Sequence, residues 1–377
     1  MRYGLLFLSL VCAGGLQAQI VQTTYGQLQG STNAGVYHFL GVPFASAPVG
    51  ALRWNAPLPP ATWTGTRAAT QFAPMCPQNM YQQGDTSSQI VGDEDCLYLN
   101  IWTPRLGADT LPVMVFIHGG GNQQGGAQEI NGGTYMYDGE NMAARGPAVV
   151  VTIQYRLGPL GFLVHPGLDA GSSTGKSGNY AVLDQILALQ WIKDNISGFG
   201  GDTSKVMIFG ESAGGVNVGN LLLTPLSGGL FQRACIQSAT PVIASYADAS
   251  SKGQAFVDGF ISTGTPAEKI AHMRTLSGDS IVSALSSPLA GGVVQMNWQA
   301  VWDEIVFTEY ALNLLQSGNF HQVPLMIGSN ADEMSLSAPP TVLPIAVTAL
   351  INARVPQALR PQANALYPPG TNSTQAR

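Results

Sequence analysis

Charge is scarce in this 377-residue chain. Lys and Arg number 16, Asp and Glu 22, and together they make up 10% of residues, against about a quarter in an ordinary globular protein. There is no Lys/Arg run and no basic stripe, and the net charge is −6; this excludes a nucleic-acid binder. No apolar run is long enough to span a bilayer, since the longest candidate, Leu5–Cys12, falls far short of the required length. Only four cysteines and five histidines are present. None of the cysteines has metal-ligand spacing with a histidine, so no metal or other cofactor is expected. Heptads, internal repeats and low-complexity tracts are also missing. Glycine and proline are plentiful, 45 and 24 residues, and imply many turns.

The N-terminus reads as a secretory signal peptide over residues 1–18. Met1-Arg2 supplies the positive start, Leu5–Cys12 the apolar core, and Leu16-Gln17-Ala18 a small-residue cleavage pattern. The expectation is therefore an exported protein, secreted or periplasmic, whose residues 19–377 form one domain. Removing the leader leaves Cys76, Cys96 and Cys235. Cys76 and Cys96 bracket a polar loop, and a bridge across it would stabilise by about 3 kcal/mol in the chain-entropy model. Cys235 lies in an apolar segment and reads as a buried free thiol.

Periodicity then gives the fold class. Thr23–Tyr37 alternates weakly around turn glycines, predicting a small β-hairpin. Strands are predicted at Cys96–Trp102, Pro112–Ile117, Ala148–Gln154, Val206–Phe209, Arg233–Gln237 and Leu325–Gly328; Pro112–Ile117 is an unbroken apolar run, as expected when both faces are buried, and Ala148–Gln154 is another fully apolar one. Between them lie helical patterns at 137–145, 180–195, 213–223, 255–260, 266–276 and 309–316. In the second, Leu183, Ile186, Leu187 and Trp191 share one face. Alternation of this kind predicts an α/β fold, a mostly parallel sheet with helices on both faces and its active site at the carboxyl ends of strands.

Gly210-Glu211-Ser212-Ala213-Gly214 fits G-x-S-x-G, between the strand at 206–209 and the helix at 213–223. That is the context of a nucleophile elbow. The serine stands at the apex of a sharp turn, where side chains two positions either way would collide. His118-Gly119-Gly120-Gly121 follows directly on another strand, as does the oxyanion loop of lipases and esterases. The candidate oxyanion donors are the backbone N–H groups of Gly120, Gly121 and Ala213, the last aided by the helix dipole. His118 belongs to the loop and reads as structural. Gly171 to Ser177 imitates a phosphate loop but is one residue short and has no preceding strand, so nucleotide binding is rejected.

Several longer segments carry a resemblance. Phe39-Leu-Gly-Val-Pro-Phe-Ala45, Pro48-Val-Gly-Ala-Leu-Arg-Trp54, Glu94-Asp-Cys-Leu-Tyr-Leu-Asn100, Tyr155-Arg-Leu-Gly158 and Phe199-Gly-Gly-Asp202 stand in order before the elbow. With them the chain resembles the type-B carboxylesterase/lipase family, of α/β-hydrolase fold. The resemblance implies a disulfide between Cys76 and Cys96, buried ion pairs Arg53–Glu94 and Arg156–Asp184, and Glu333 as the triad acid, its neighbour Asp332 being the other carboxylate of that turn. It implies hydrolysis of a small-molecule carboxylic ester through an acyl-enzyme on Ser212. Asn122 departs from the pattern, standing where the family usually has an aromatic.

The triad order in this fold is serine, acid, histidine. His38, His118, His165, His272 and His321 all precede Glu333, and none follows it. The family continues past this point, so the expectation is a chain incomplete at its C-terminus, lacking a strand, its covering helix and the catalytic histidine, and inactive by itself. Two other functions fit the same scaffold: a non-catalytic binding or adhesion protein, and an acyltransferase. The retained serine, elbow and glycines favour the hydrolase.

Overall fold

Leu111–Ile117 is apolar at nearly every position, and it lies near the middle of the sheet. The computed structural model describes residues 19–81, 88–107, 110–172, 174–286, 296–330, 333, 344–355, 357–366 and 368; the expected leader, 1–18, and Asp332 lie outside them. Ten strands form the main sheet: β1 Gln19–Gln22, β2 Gln27–Asn33, β3 Val36–Pro43, β4 Thr66–Ala68, β5 Tyr98–Thr103, β6 Leu111–Ile117, β7 Val149–Ile153, β8 Gly201–Glu211, β9 Arg233–Gln237 and β10 Leu325–Gly328. Their order is β1-β2-β3-β5-β7-β6-β8-β9-β10, with β4 beside β2.

From β7 to β10 every pairing is parallel. From β1 to β7 every pairing along that path is antiparallel. The parallel half thus answers to the apolar runs, and the antiparallel half grows from the predicted hairpin. Ala34 and Gly35, at φ 47° and 83°, make its two-residue turn, the left-handed geometry that suits strand twist.

The helices that bear on the site are α1 Tyr180–Asn195, α2 Ala213–Leu223, α3 Tyr246–Asp258, α4 Pro266–Thr275 and α5 Ala311–Ser317; α2 packs on β6, β8 and β9, and α3 packs on α4. The bounds of α1 and α2 are those read from periodicity. α3 starts well before Ala255, because Ser245 caps it by accepting from the Asp248 N–H while its first turns are polar and carry no stripe. A capping box, Thr265 with Glu268, starts α4. The face expected for α1 is corrected: Trp191 is buried, but Leu183, Ile186 and Leu187 are only half-covered, and Asp184, Gln185, Ala188 and Ile192 go inside instead.

The reason is an ion pair. The Arg156 Nε and Nη2 donate to the two Asp184 oxygens at 2.8 and 2.7 Å, and the Arg156 backbone N–H adds a third bond at 3.0 Å. A second pair joins Arg53 to Glu94 through both carboxylate oxygens. Arg53 also donates to the carbonyls of Met273 and Leu276, tying the end of α4 to the N-terminal segment. Cys76 and Cys96 are bridged, and Cys235 is free and buried. At the far edge β10 stands apart from the other apolar strands. Leu325, Met326 and Ile327 are 48%, 71% and 55% exposed, so the buried strands expected from the strand–helix repetition do not include this one.

Candidate active site

The strand order reverses direction at β6. The chain passes from β6 to β7 on one side, then returns to β8 on the other. Loops leaving the carboxyl ends of β6 and β8 therefore part and leave a crevice, the usual ligand position in such sheets. His118–Gly121 leaves β6 there, and Ser212 leaves β8.

Close packing explains the elbow's glycines. A Cβ on Gly214 would lie 2.0 Å from the Ile117 carbonyl oxygen, and one on Gly210 would lie 2.6 Å from Gly214. Neither position has room for a side chain. Ser212 itself sits at φ 55°, ψ −124°, a conformation that costs a non-glycine residue of order 1–3 kcal/mol and marks functional sites. Its N–H donates to the Gln237 carbonyl at 3.0 Å, and its own carbonyl accepts from Val216 at 2.9 Å, so β9 and the first turn of α2 hold the strained residue.

The glycine loop lies directly against this turn. A Cβ on Gly119 would come within 2.8 Å of the Glu211 carbonyl and 3.3 Å of the Ser212 Cβ. Gly120, Gly121 and Asn122 follow at φ 99°, 66° and 58°, and the Gly120 carbonyl accepts from both Gln123 and Gln124 at 3.1 Å. The backbone N–H groups of Gly120, Gly121 and Ala213 have no acceptor among the described residues. Gly121 and Ala213 are buried, where an N–H without a partner is rare.

His118 is fully buried and stacks on Tyr155 at 4.4 Å. Its Nδ1 meets the Gly119 carbonyl at 2.9 Å, so Nδ1 carries the hydrogen. Burial lowers its pKa from 6.5 to about 4, the Gly119 carbonyl opposing. An unfolded chain takes up this proton near pH 6.5, the folded one only near 4. Stability is then full above 6.5, falls as pH drops through the window, and levels off below it. The loss amounts to about 3 kcal/mol. Urea unfolding from pH 7 to 4 is expected to show wild type losing that much more than His118→Gln; equal losses would contradict it.

Glu333 lies beyond β10. One of its oxygens accepts from the Ser238 hydroxyl and from the Asn330 N–H, bonds that lower its pKa. A cavity of about 430 Å³ brings Glu333 together with Ser212, Ala213, Glu211, Val216 and Met296. Burial, and then the charge of Glu333, raises the pKa of Glu211. No histidine lines this cavity among the described residues. His38 pairs with Glu140, His165 caps a short helix, His321 meets the Thr224 carbonyl, and His272 lies on α4.

Sequence reading missed three residues here. Ser238, at φ 55°, carries no motif. Asn217, buried in α2, donates to the Asn122 side chain at 3.0 Å. The signal for it was a pair of asparagines, Asn217 and Asn220, inside an otherwise apolar helix. Asn179 holds Asp303 and Val301, fixing the segment next to Met296.

A parallel half-sheet covered by helices, with a strained serine at the carboxyl end of β8, defines an α/β-hydrolase. Residues 17–352 match the family model described as Carboxylesterase family. The chain is 36% identical over 319 residues to the para-nitrobenzyl esterase of Bacillus subtilis (strain 168), covering 84% of this chain and 63% of that protein. It is 39% identical over 331 residues to the fumonisin B1 esterase of Sphingopyxis macrogoltabida, covering 82% and 55%. Cocaine esterase of Oryctolagus cuniculus is 39% identical over 345 residues, covering 86% and 61%. The solved structure of a PNB esterase superposes with TM-score 0.79 at 34% identity, over 95% of this chain and 74% of that one. The chain belongs to the carboxylesterase family. It spans about three-fifths of the length of these curated relatives.

Proposed function

We propose that these residues carry the nucleophile, oxyanion hole and acid of a serine carboxylesterase. The observation that carries this reading is the strained Ser212 beside three backbone N–H groups without acceptors, on one cavity with Glu333. The Ser212 Oγ attacks the acyl carbon and loses its proton to a base. Negative charge develops on the carbonyl oxygen, and the N–H groups of Gly120, Gly121 and Ala213 stabilise it, one such donor being worth about 3 kcal/mol. The alcohol leaves with a proton, and water then clears the acyl group from Ser212. Glu333, held ionised by Ser238 and Asn330, suits the task of steadying a protonated base.

The substrate proposed is a small-molecule ester, in keeping with relatives named for para-nitrobenzyl, fumonisin B1 and cocaine esters. The loop closed by Cys76 and Cys96 has no tryptophan to hold a quaternary ammonium, which argues against choline esters. The disulfide supports an oxidising, exported location.

None of the five histidines serves as the base in this reading. The 377 residues by themselves are therefore proposed to be nearly inert, because triad members act as a unit. The test is hydrolysis of a short-chain nitrophenyl ester by the 377-residue chain and by Ser212→Ala. Indistinguishable slow rates are expected. Saturable turnover lost in Ser212→Ala would mean that the base is present after all.

A further inference from the structure

We propose that Asn122 is a positioning residue, clasped to Asn217 so that the glycine loop is held at a fixed height over the nucleophile helix. The proposal rests on the esterase reading of Ser212. Asn122 ends the run of three left-handed residues, and asparagine tolerates that conformation better than other side chains. It is completely buried, and its amide does not enter the cavity. The Asn122 Oδ1 accepts from Asn217 Nδ2 at 3.0 Å, and its Nδ2 donates to the Trp298 carbonyl at 3.1 Å. The Asn122 carbonyl accepts from the Gly158 N–H at 2.6 Å. One residue thus joins the loop to α2, to the segment after Met296 and to the turn after β7.

Geometry gives this junction its consequence. Asn217 lies on the same helix whose first N–H, that of Ala213, faces the crevice, little more than one turn further on. Gly121 immediately precedes Asn122. The side-chain bond therefore spans the two elements whose N–H groups must converge on one oxygen, and small displacements there weaken donors aimed at developing charge. An aromatic at position 122 would hold the loop by packing alone. The paired amides hold it by direction as well as by contact, because each amide has a fixed donor and acceptor side.

Two variants of the 377-residue chain separate this from plain core filling. Asn122→Gly keeps the left-handed turn available and removes the amide; Asn217→Ala leaves the turn untouched. Hydrogen exchange of the peptide covering residues 118–125, with α1 as internal reference, reads the loop directly. Each variant is expected to speed exchange at Gln123 and Gln124 by about tenfold, with the double variant no faster than the quicker single one, since both break the same link. Exchange that is unchanged, or that adds in the double variant, would overturn the clasp. With imidazole supplied as base, both variants should slow Ser212-dependent ester cleavage about tenfold while the half-saturating ester concentration stays within about threefold. Faster exchange with unaltered cleavage would overturn the positioning role. If wild type shows no Ser212-dependent cleavage, the esterase reading fails and the role with it, while exchange still decides whether the clasp exists.

Discussion

Imidazole at tens of millimolar is expected to raise Ser212-dependent cleavage of a nitrophenyl ester by about 100-fold, the low end of what a placed general base contributes. Imidazole also attacks such esters in free solution, so the quantity to read is the difference between wild type and Ser212→Ala. The expectation follows from what the site has and what it lacks. Ser212, Ala213 and Glu333 line one cavity of about 430 Å³, ample for a small ester and a five-membered ring. His118, the histidine nearest in sequence to the oxyanion loop, has its Nδ1 on the Gly119 carbonyl and a ring that burial keeps neutral down to about pH 4. It is fully buried and does not line the cavity that holds Ser212. A difference rising with the neutral fraction of imidazole, and flattening as the cavity fills, is the expected form. A difference that stays at zero would remove Ser212 from the chemistry.

Asp184→Asn is expected to destabilise the fold by about 3–5 kcal/mol, the usual cost of stranding one member of a buried pair. Asp184 is fully buried and Arg156 nearly so, so the guanidinium left behind cannot turn to water. Its other acceptors, the Asn55 and Tyr180 carbonyls at 2.9 and 3.5 Å, are neutral and do not balance its charge. Against a total stability of about 5–15 kcal/mol, this is a large fraction. Urea unfolding should show a lower midpoint with an unchanged slope. Replacing both residues, Arg156→Met with Asp184→Leu, is expected to cost less than Asp184→Asn alone, because no charge is stranded. If the double variant is the less stable, the desolvation argument for this pair is wrong.

Much of the architecture was legible because single residues had single explanations. The elbow glycines follow from a turn so tight that a Cβ would strike Ile117, and sequence showed both glycines and the flanking elements. The strands β6 and β7 follow from unbroken apolar runs. Other features were out of reach. The stripe on α1 looked like Leu183, Ile186 and Leu187, yet Asp184 goes inside because Arg156, 28 residues earlier, needs it; hydrophobic periodicity does not register a buried charge pair. The length of α3 was hidden because a cap and polar propensity, not a stripe, define its start. Strand β10 was legible as a strand, but its exposure was not, because burial depends on what lies beside it. The Asn122–Asn217 bond joins residues 95 apart in sequence, and neither belongs to a motif.

The most direct test is a structure of the chain with phenylboronic acid bound, since boron adds to a reactive serine and leaves a charged oxygen where the oxyanion would form. The account predicts a tetrahedral adduct on the Ser212 Oγ with that oxygen about 2.7–3.1 Å from the N–H groups of Gly120, Gly121 and Ala213. A boronate bound elsewhere, or one on Ser212 whose oxygens turn to solvent and leave those three N–H groups without a partner, would contradict it.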